Sequence, residues 1–571
     1  MRPRLAAAVG PLFAAALALG IPAQTPVVTY AGETMRLQSA TVAAGTTATW
    51  NVTLQMANDN GNGSLPTSFR RWWHCELGNL TPGTSLRITV TNAGYTDIIL
   101  PVWALSTDGV TFAPYTRLPT SATPTLLTST QHRFTFTVPP GVTSLRLAKY
   151  FPYSVTRKNA WLASVSNHPR VRSVVSLGNS AQGRPIHKLE LTDSSVPDTG
   201  KQRVWIHAGI HPAETTSYFT VEGFVAWLLS GDPYAEVLLD QALIELVPMA
   251  NPDGVFLGNY RVNANSSNLE DQWSAPYTST QPELVALRTA IEGYMGTVAA
   301  PGSNPIRVLL NLHSSHAVNY PFHFQHVSNP NWSPTNNTGV IPVVNAIEGQ
   351  WIVQFKARSP FVDLGTTQSS ALTSRPFVES MCHDRWTAQP GWLNAPGLQS
   401  PVMAITFEGT YGRGPDTVAW NVEADYRQCG AELGLALFDH LGLQLTASLT
   451  TYAGPCQSAM LAGTLVPQPN GSHVANLQVS SGAGNGLGIL AVGSQQVLVG
   501  LPAPWANCAL LCTPDGTVGF VLGPTGAASL PLTLPALPGL VAFAQVFSLD
   551  LSQPPNLPLD ATNGVRLANN Y

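Results

Sequence analysis

After Val171 the chain is built from compact apolar runs of strand length, RVWIHAG (203–209), ALIELVP (242–248), IRVLLNL (306–312) and VMAITF (402–407). Between them lie segments of helical period, with Phe219, Phe224, Trp227 and Leu228 on one stripe and Leu284, Leu287, Ile291 and Tyr294 on another. Strands apolar along their whole length, interleaved with helices, are buried on both faces of a sheet, so this stretch predicts an α/β layer fold. A final helix is predicted over about Val422 to Leu443, with Leu433, Leu435, Leu437 and Leu441 among its apolar residues.

The flanks have a different texture. From Val27 to Trp161 short alternating runs such as SLRITVTNA (85–93), HRFTFTV (132–138) and SLRLAKYF (144–151) are separated by Gly, Pro, Asn and Ser, which predicts an antiparallel β-sandwich. Past Thr450 charge nearly disappears and Gly, Pro, Leu and Val dominate, predicting a second, all-β domain. A chain of 571 residues exceeds what one core serves. The expected division is therefore a multidomain one: 1–23 a leader, 24–165 the sandwich, 166–446 the α/β domain and 447–571 the C-terminal β domain.

Hydrophobic residues at 44% and charged residues at 11% exclude general disorder. A net charge of -4 with no basic run gives no footprint for nucleic acid or anionic lipid, and neither is expected as a partner. The N-terminus reads Met-Arg-Pro-Arg and then LAAAVGPLFAAALALG, a basic start before a short apolar stretch. That pattern is a signal peptide with cleavage near Ala23. It predicts a protein secreted or held in the cell envelope, with no membrane span after cleavage, and makes Cys75, Cys382, Cys429, Cys456, Cys508 and Cys512 candidate disulfide formers.

Where RVWIHAG ends, Ile210-His211-Pro212-Ala213-Glu214 sets an imidazole and a carboxylate three residues apart, a spacing at which both can reach one metal ion. Alone, the pattern equally fits a surface histidine followed by a helix-starting glutamate that favours the positive end of the helix dipole. His313 follows IRVLLNL and Glu408 follows VMAITF. All three sites thus fall at the carboxyl ends of predicted strands, where open α/β sheets place their active sites.

The ordered set GRPIHKLEL (183–191), GIHPAE (209–214), PMANPDGVFLGNYR (248–261), LNLHSSH (310–316) and TFEGTYG (406–412) resembles the zinc carboxypeptidase family. Within it the likeness is to the cytosolic-carboxypeptidase-like branch, which carries a β-sandwich ahead of its catalytic domain; residues from Phe69 through Lys149–Ser154 resemble that sandwich. The likeness runs from about Arg70 to Leu443. It implies a zinc-carboxypeptidase-like domain with a mixed sheet, one Zn2+ per chain held by His211, Glu214 and His313, Glu408 as catalytic base, Arg261 as the group that stabilises the oxyanion, and a peptide or amide substrate. Asn251-Pro252-Asp253-Gly254 is a structural turn in this reading, and His207, His316, His323 and His326 stand behind the site or at the surface.

One departure bears on specificity. The family follows its GNYR segment with an Asn-Arg pair that grips a terminal carboxylate, whereas this chain reads Asn268-Leu269-Glu270-Asp271-Gln272-Trp273. Glu270 and Asp271 would repel a carboxylate and attract a cation. They are the expected substrate-binding residues, with Tyr411 as the substrate-covering tyrosine and Arg375, Arg385 or Arg413 as replacements for the clamp. Three readings stay open: a zinc metallopeptidase trimming peptides from an end, a zinc amidase or deacylase of the same fold selecting a cationic or neutral end, and a non-catalytic binding protein. The C-terminal domain resembles tail modules, which leaves attachment to a cell surface open.

Overall fold

The computed structural model describes residues 24–569 apart from 47, 274–280, 317–319, 364–366, 371–376, 394–400, 415–417, 446–447, 457–458, 469–471, 481–483, 503–504, 506–507, 536–539 and 550–558. Residues 1–23, expected as a leader, and Arg375 lie outside the described residues.

The centre is an eight-stranded mixed sheet. Ala242–Val247, Gln202–Ala208, Ile306–Ser315 and Met403–Thr410 lie side by side and parallel. Antiparallel neighbours, Pro185–Leu191 on one side and Phe322–His326 on the other, complete the mixture. Along Gln202–Ala208, Val204 and Ile206 enter one core while Trp205 enters another, so the sheet is covered on both faces. The first core takes helices Thr216–Leu228, Pro342–Arg358 and Glu423–His440; the second takes Pro282–Met295 through Leu284, Leu287 and Ile291. Helices Thr216–Leu228 and Glu423–His440 cross almost backbone to backbone. A Cβ on Gly223 would stand 1.9 Å from the Arg427 carbonyl oxygen, and one on Gly430 would stand 2.0 Å from that of Thr220.

Two five-stranded sheets precede this layer and share one core, which includes Leu54 and Ile88 from one sheet and Leu77 and Leu147 from the other. The pairing is not wholly antiparallel. Thr49–Gln55 runs parallel to Ser85–Thr91, because the chain crosses to the other sheet as His74–Gly78 before returning.

After residue 447 the described chain forms a six-stranded sheet, a three-stranded sheet and a two-stranded sheet. Its strand Gly564–Asn569 presents Arg566, 1% exposed, to the helix Pro233–Gln241, where the guanidinium meets Glu236 at 2.9 Å and Asp240 at 3.4 Å. Arg170 joins the same cluster through Glu236 and Asp193. Of the six cysteines expected to pair, Cys456 and Cys508 form a disulfide, while Cys75, Cys382, Cys429 and Cys512 are free, buried thiols. Among the described residues no helix is long and apolar enough to cross a membrane.

Candidate active site

The parallel strands deliver the functional groups to one edge. Ile306–Ser315 and Met403–Thr410 pair in a register that sets His313 beside Glu408. The neighbouring strand ends at Ala208 and is followed by Gly209, whose φ of 75° and contact with the Tyr218 ring, 2.4 Å from where a Cβ would be, leave no room for a side chain. The turn that follows carries His211 and Glu214. Gly254 makes a similar close approach: a Cβ there would stand 2.4 Å from Pro212, and Asn251 caps the helix Pro252–Leu257 through the Gly254 N–H. The Asn-Pro-Asp-Gly segment thereby supports the His211 turn from behind.

His211, Glu214 and His313 converge, each 3% exposed. Glu214 Oε1 is 2.8 Å from His211 Nδ1 and its Oε2 is 2.7 Å from His313 Nδ1, while the two Nδ1 atoms are 3.1 Å apart. The outward nitrogens face acceptors: His211 Nε2 is 3.1 Å from Asn268 Oδ1, and His313 Nε2 is 3.5 Å from Glu270 Oε2. With Nε2–H pointed outward, both rings present Nδ1 lone pairs inward, as metal-bound histidines do. Two imidazole nitrogens and one carboxylate at these separations are the donor set of a catalytic zinc site, so the residues fit the metal.

The charges are strongly coupled. Burial opposes ionisation of Glu214, but the two histidines outweigh it and hold its carboxyl well below the usual range. Burial likewise opposes a charge on His313, yet Glu214 and Glu270 hold its pKa well above the ordinary value. His211 is lowered, by burial and then by Arg261. Burial, with the Glu214 carboxylate beside it, pushes Glu408 up to about 8 against the pull of His313 and Arg261.

A cavity of about 290 Å³ opens on this group. His211, His313, Arg261, Glu270 and Glu408 line it, together with Phe324, His326, Phe377, Glu379 and Thr406. Arg261 is steadied from the N-terminal sheets: the buried Asp59 accepts the backbone N–H groups of Tyr260, Arg261 and Val262 at 2.7, 2.7 and 3.1 Å.

Several expected substrate contacts are placed elsewhere. Asp271 is exposed and lies outside the cavity lining; it accepts a hydrogen bond from Asn268 Nδ2, which turns Asn268 Oδ1 towards His211. Tyr411 is 1% exposed, stacked on Tyr150 with centroids 3.9 Å apart, and donates its hydroxyl to the Ser314 carbonyl, so it is packed beneath the site and does not cover it. Arg385 pairs with Glu292 and Arg413 with the Val418 carbonyl, and neither lines the cavity. His207 and His323 are buried behind the site, and His316 is exposed. His326 reaches the cavity wall while Glu348 holds its Nδ1 at 2.8 Å.

Three contributors carried no sequence signal of their own. Asp59 sits in a short turn far upstream, Asn268 belongs to the departing segment, and Glu379 lies on the five-residue helix Val378–Cys382.

Comparison with known proteins agrees with this geometry. Residues 158–268 match the zinc carboxypeptidase family. Among curated proteins, cytosolic carboxypeptidase 6 of Mus musculus is 32% identical over 149 residues, 26% of this chain and 28% of its own length. Cytosolic carboxypeptidase 2 of the same organism is 31% identical over 141 residues, 24% of this chain and 16% of its own length. The chain thus spans less than a third of these relatives. Among solved structures, a metallo-carboxypeptidase from Burkholderia cenocepacia superposes with a TM-score of 0.56 at 24% identity, covering 73% of this chain and 99% of that one. One from Pseudomonas aeruginosa gives 0.56 at 19% identity with the same coverage. These structures show the fold.

The curated relatives also correct one expectation. They are cytosolic carboxypeptidases, which overturns the reading of a secreted or envelope protein drawn from the apolar N-terminus. A short apolar stretch reports composition and does not by itself fix a compartment. Residues 158–268 are thus similar to the zinc carboxypeptidase family, and the chain around them has the fold of the metallo-carboxypeptidases.

Proposed function

We propose that the protein is a zinc-dependent hydrolase of the metallocarboxypeptidase type, cleaving peptide or amide bonds with one zinc per chain. The observation that carries this reading is the buried donor set His211, Glu214 and His313 with Glu408 on the wall of the same cavity.

Zinc in that set supplies Lewis acidity, polarising the scissile carbonyl and acidifying water. Glu408 Oε2 is buried without a hydrogen-bond partner among the described residues, so it is available to accept the proton of the attacking water and pass it to the leaving amine. The Arg261 guanidinium lines the same cavity and is always charged, which suits it to the oxygen that gains negative charge. Asn268 orients His211 through its outward Nε2, and the Glu270 carboxylate faces that of His313 at 3.5 Å.

A second reading, an amidase or deacylase selecting a cationic or neutral end, draws support from Glu270, which lines the cavity where the family grips a carboxylate. Incubating the zinc-loaded protein with peptides bearing free, amidated and cationic C-termini, and reading the products by mass spectrometry, tests both. Release of C-terminal residues supports the peptidase, release of amines alone supports the amidase, and no product from any substrate refutes the hydrolase.

A further inference from the structure

The cavity has an acidic wall separate from the groups given catalytic roles. Glu379 is 4% exposed and lines the cavity, with its Oε1 accepting a hydrogen bond from Thr406 Oγ1. Thr406 Oγ1 in turn accepts from Asn311 Nδ2 at 3.0 Å, and the same Nδ2 donates to Glu270 Oε1 at 3.0 Å. Asn311 and Thr406 are cross-strand partners in the central sheet, so this chain of contacts fixes two buried carboxylates on the rigid floor of the site.

Glu270 faces His313 at 3.5 Å, and the charge acting on Glu379 from the basic side is that of His326. Among the described residues no arginine or lysine pairs with Glu379 or Glu270. Arg261 acts on Glu408 and His211. Burying one carboxylate near another is costly, and burial followed by the Glu270 charge raises the Glu379 pKa, against the pull of His326. Phe324 and Phe377 add apolar surface to the same cavity. An acidic floor beside aromatic walls fits an aliphatic chain that ends in a cation.

We infer that Glu379, with Glu270, is a specificity determinant that selects substrates carrying an amine or guanidinium on the part of the molecule held in this cavity. This rests on the hydrolase reading above and names its substrate class. An ionic hydrogen bond in a dry pocket distinguishes a guanidinium from a neutral isostere of equal shape by tenfold or more, roughly.

The test has two arms on the zinc-loaded full chain. In the first, N-acylated alanyl-arginine, alanyl-citrulline, alanyl-leucine, alanyl-glutamate and alanyl-agmatine are compared by kcat/KM. Arginine or agmatine should exceed its neutral counterparts by about tenfold or more, and Glu379→Gln should bring the arginine to citrulline ratio close to one while zinc content and leucine cleavage stay intact. In the second, butylguanidinium and butylurea are titrated calorimetrically, which needs no turnover. Tighter binding of butylguanidinium, lost in Glu379→Gln, supports the inference. Equal binding of the two compounds, or a preference unchanged in Glu379→Gln, overturns it. Discriminated binding without hydrolysis of any substrate counts against the hydrolase reading and for the cation site.

Discussion

His211 and His313 meet nitrogen to nitrogen, with Nδ1 atoms 3.1 Å apart and ring planes at 74°. Two N–H groups cannot donate to each other, so at least one ring turns a lone pair into the gap. When Asn268 and Glu270 draw the Nε2 protons outward, both rings do so, and the Glu214 carboxylate adds a third electron-rich atom. Such a pocket is stable only with protons or a cation inside it.

The protein is therefore expected to bind about one zinc per chain, and His211→Ala to lose most of it by elemental analysis. Adding zinc should raise the unfolding temperature of the unsubstituted protein and not that of the variant, since a ligand bound only by the folded state stabilises it. Full metal retention in His211→Ala would sink the assignment.

Removing the base should separate chemistry from metal binding. Glu408→Gln should reduce kcat by about 10² to 10⁴ with zinc content unchanged. Turnover close to that of the unsubstituted protein would take Glu408 out of the mechanism.

Asn268 is expected to act through His211. Asn268→Ala should weaken zinc binding by about 10- to 100-fold in a chelator competition, and Asp271→Ala, which frees the Asn268 amide, should weaken it less. Unaltered zinc affinity in both variants would show that the His211 ring is held by other contacts.

Asp59 predicts a long-range effect on catalysis. Asp59→Ala leaves three buried backbone N–H groups without their acceptor and loosens the segment carrying Arg261, so kcat should fall about tenfold while zinc affinity is kept, with a stability loss of about 1–3 kcal/mol. Unchanged kinetics in a folded Asp59→Ala protein would count against this link.

The ionic cluster gives a pH dependence. Burial pushes the Asp240 carboxyl up to about 7 from 3.8; the Asp193 carboxylate adds to this, and Arg566 and Arg170 oppose it. A carboxyl raised on folding binds its proton more tightly in the native state, so its contribution to stability is present below about pH 4 and is lost as pH rises through about 7. Between pH 5 and 8 the unfolding temperature should drop more for the unsubstituted protein than for Asp240→Asn, with a difference of the order of 1 kcal/mol. Parallel pH profiles for the two proteins would remove Asp240 as the cause.

The strand-end positions of His211, His313 and Glu408 could be anticipated because buried parallel strands are written as unbroken apolar runs and the reactive residues follow them directly. The buried sheet and its helices followed from the same periodicity, whereas the mixed pairing was implied only by the family resemblance. Pocket residues were harder to anticipate. Glu379 enters from a short helix with no periodic signature, and of Glu270 and Asp271, which stand together where the family has its Asn-Arg pair, only Glu270 turns inward while Asp271 is exposed. Tyr411, expected from the resemblance as the substrate-covering tyrosine, stacks inward on Tyr150 because its ring packs beneath the strand end. The parallel pair in the N-terminal sheets depends on a crossing between sheets, which alternation within a strand does not encode.

Arg566 lies in the last described strand, yet it is one of two guanidiniums among Asp193, Glu236 and Asp240. A protein truncated before the C-terminal strands would leave three buried carboxylates to share Arg170 alone. Repulsion there would fall on the helix Pro233–Gln241 and on the strand Ala242–Val247 that follows it into the central sheet. Shortened versions made to isolate the catalytic layer should therefore be less soluble than the whole chain unless those acids are neutralised as well.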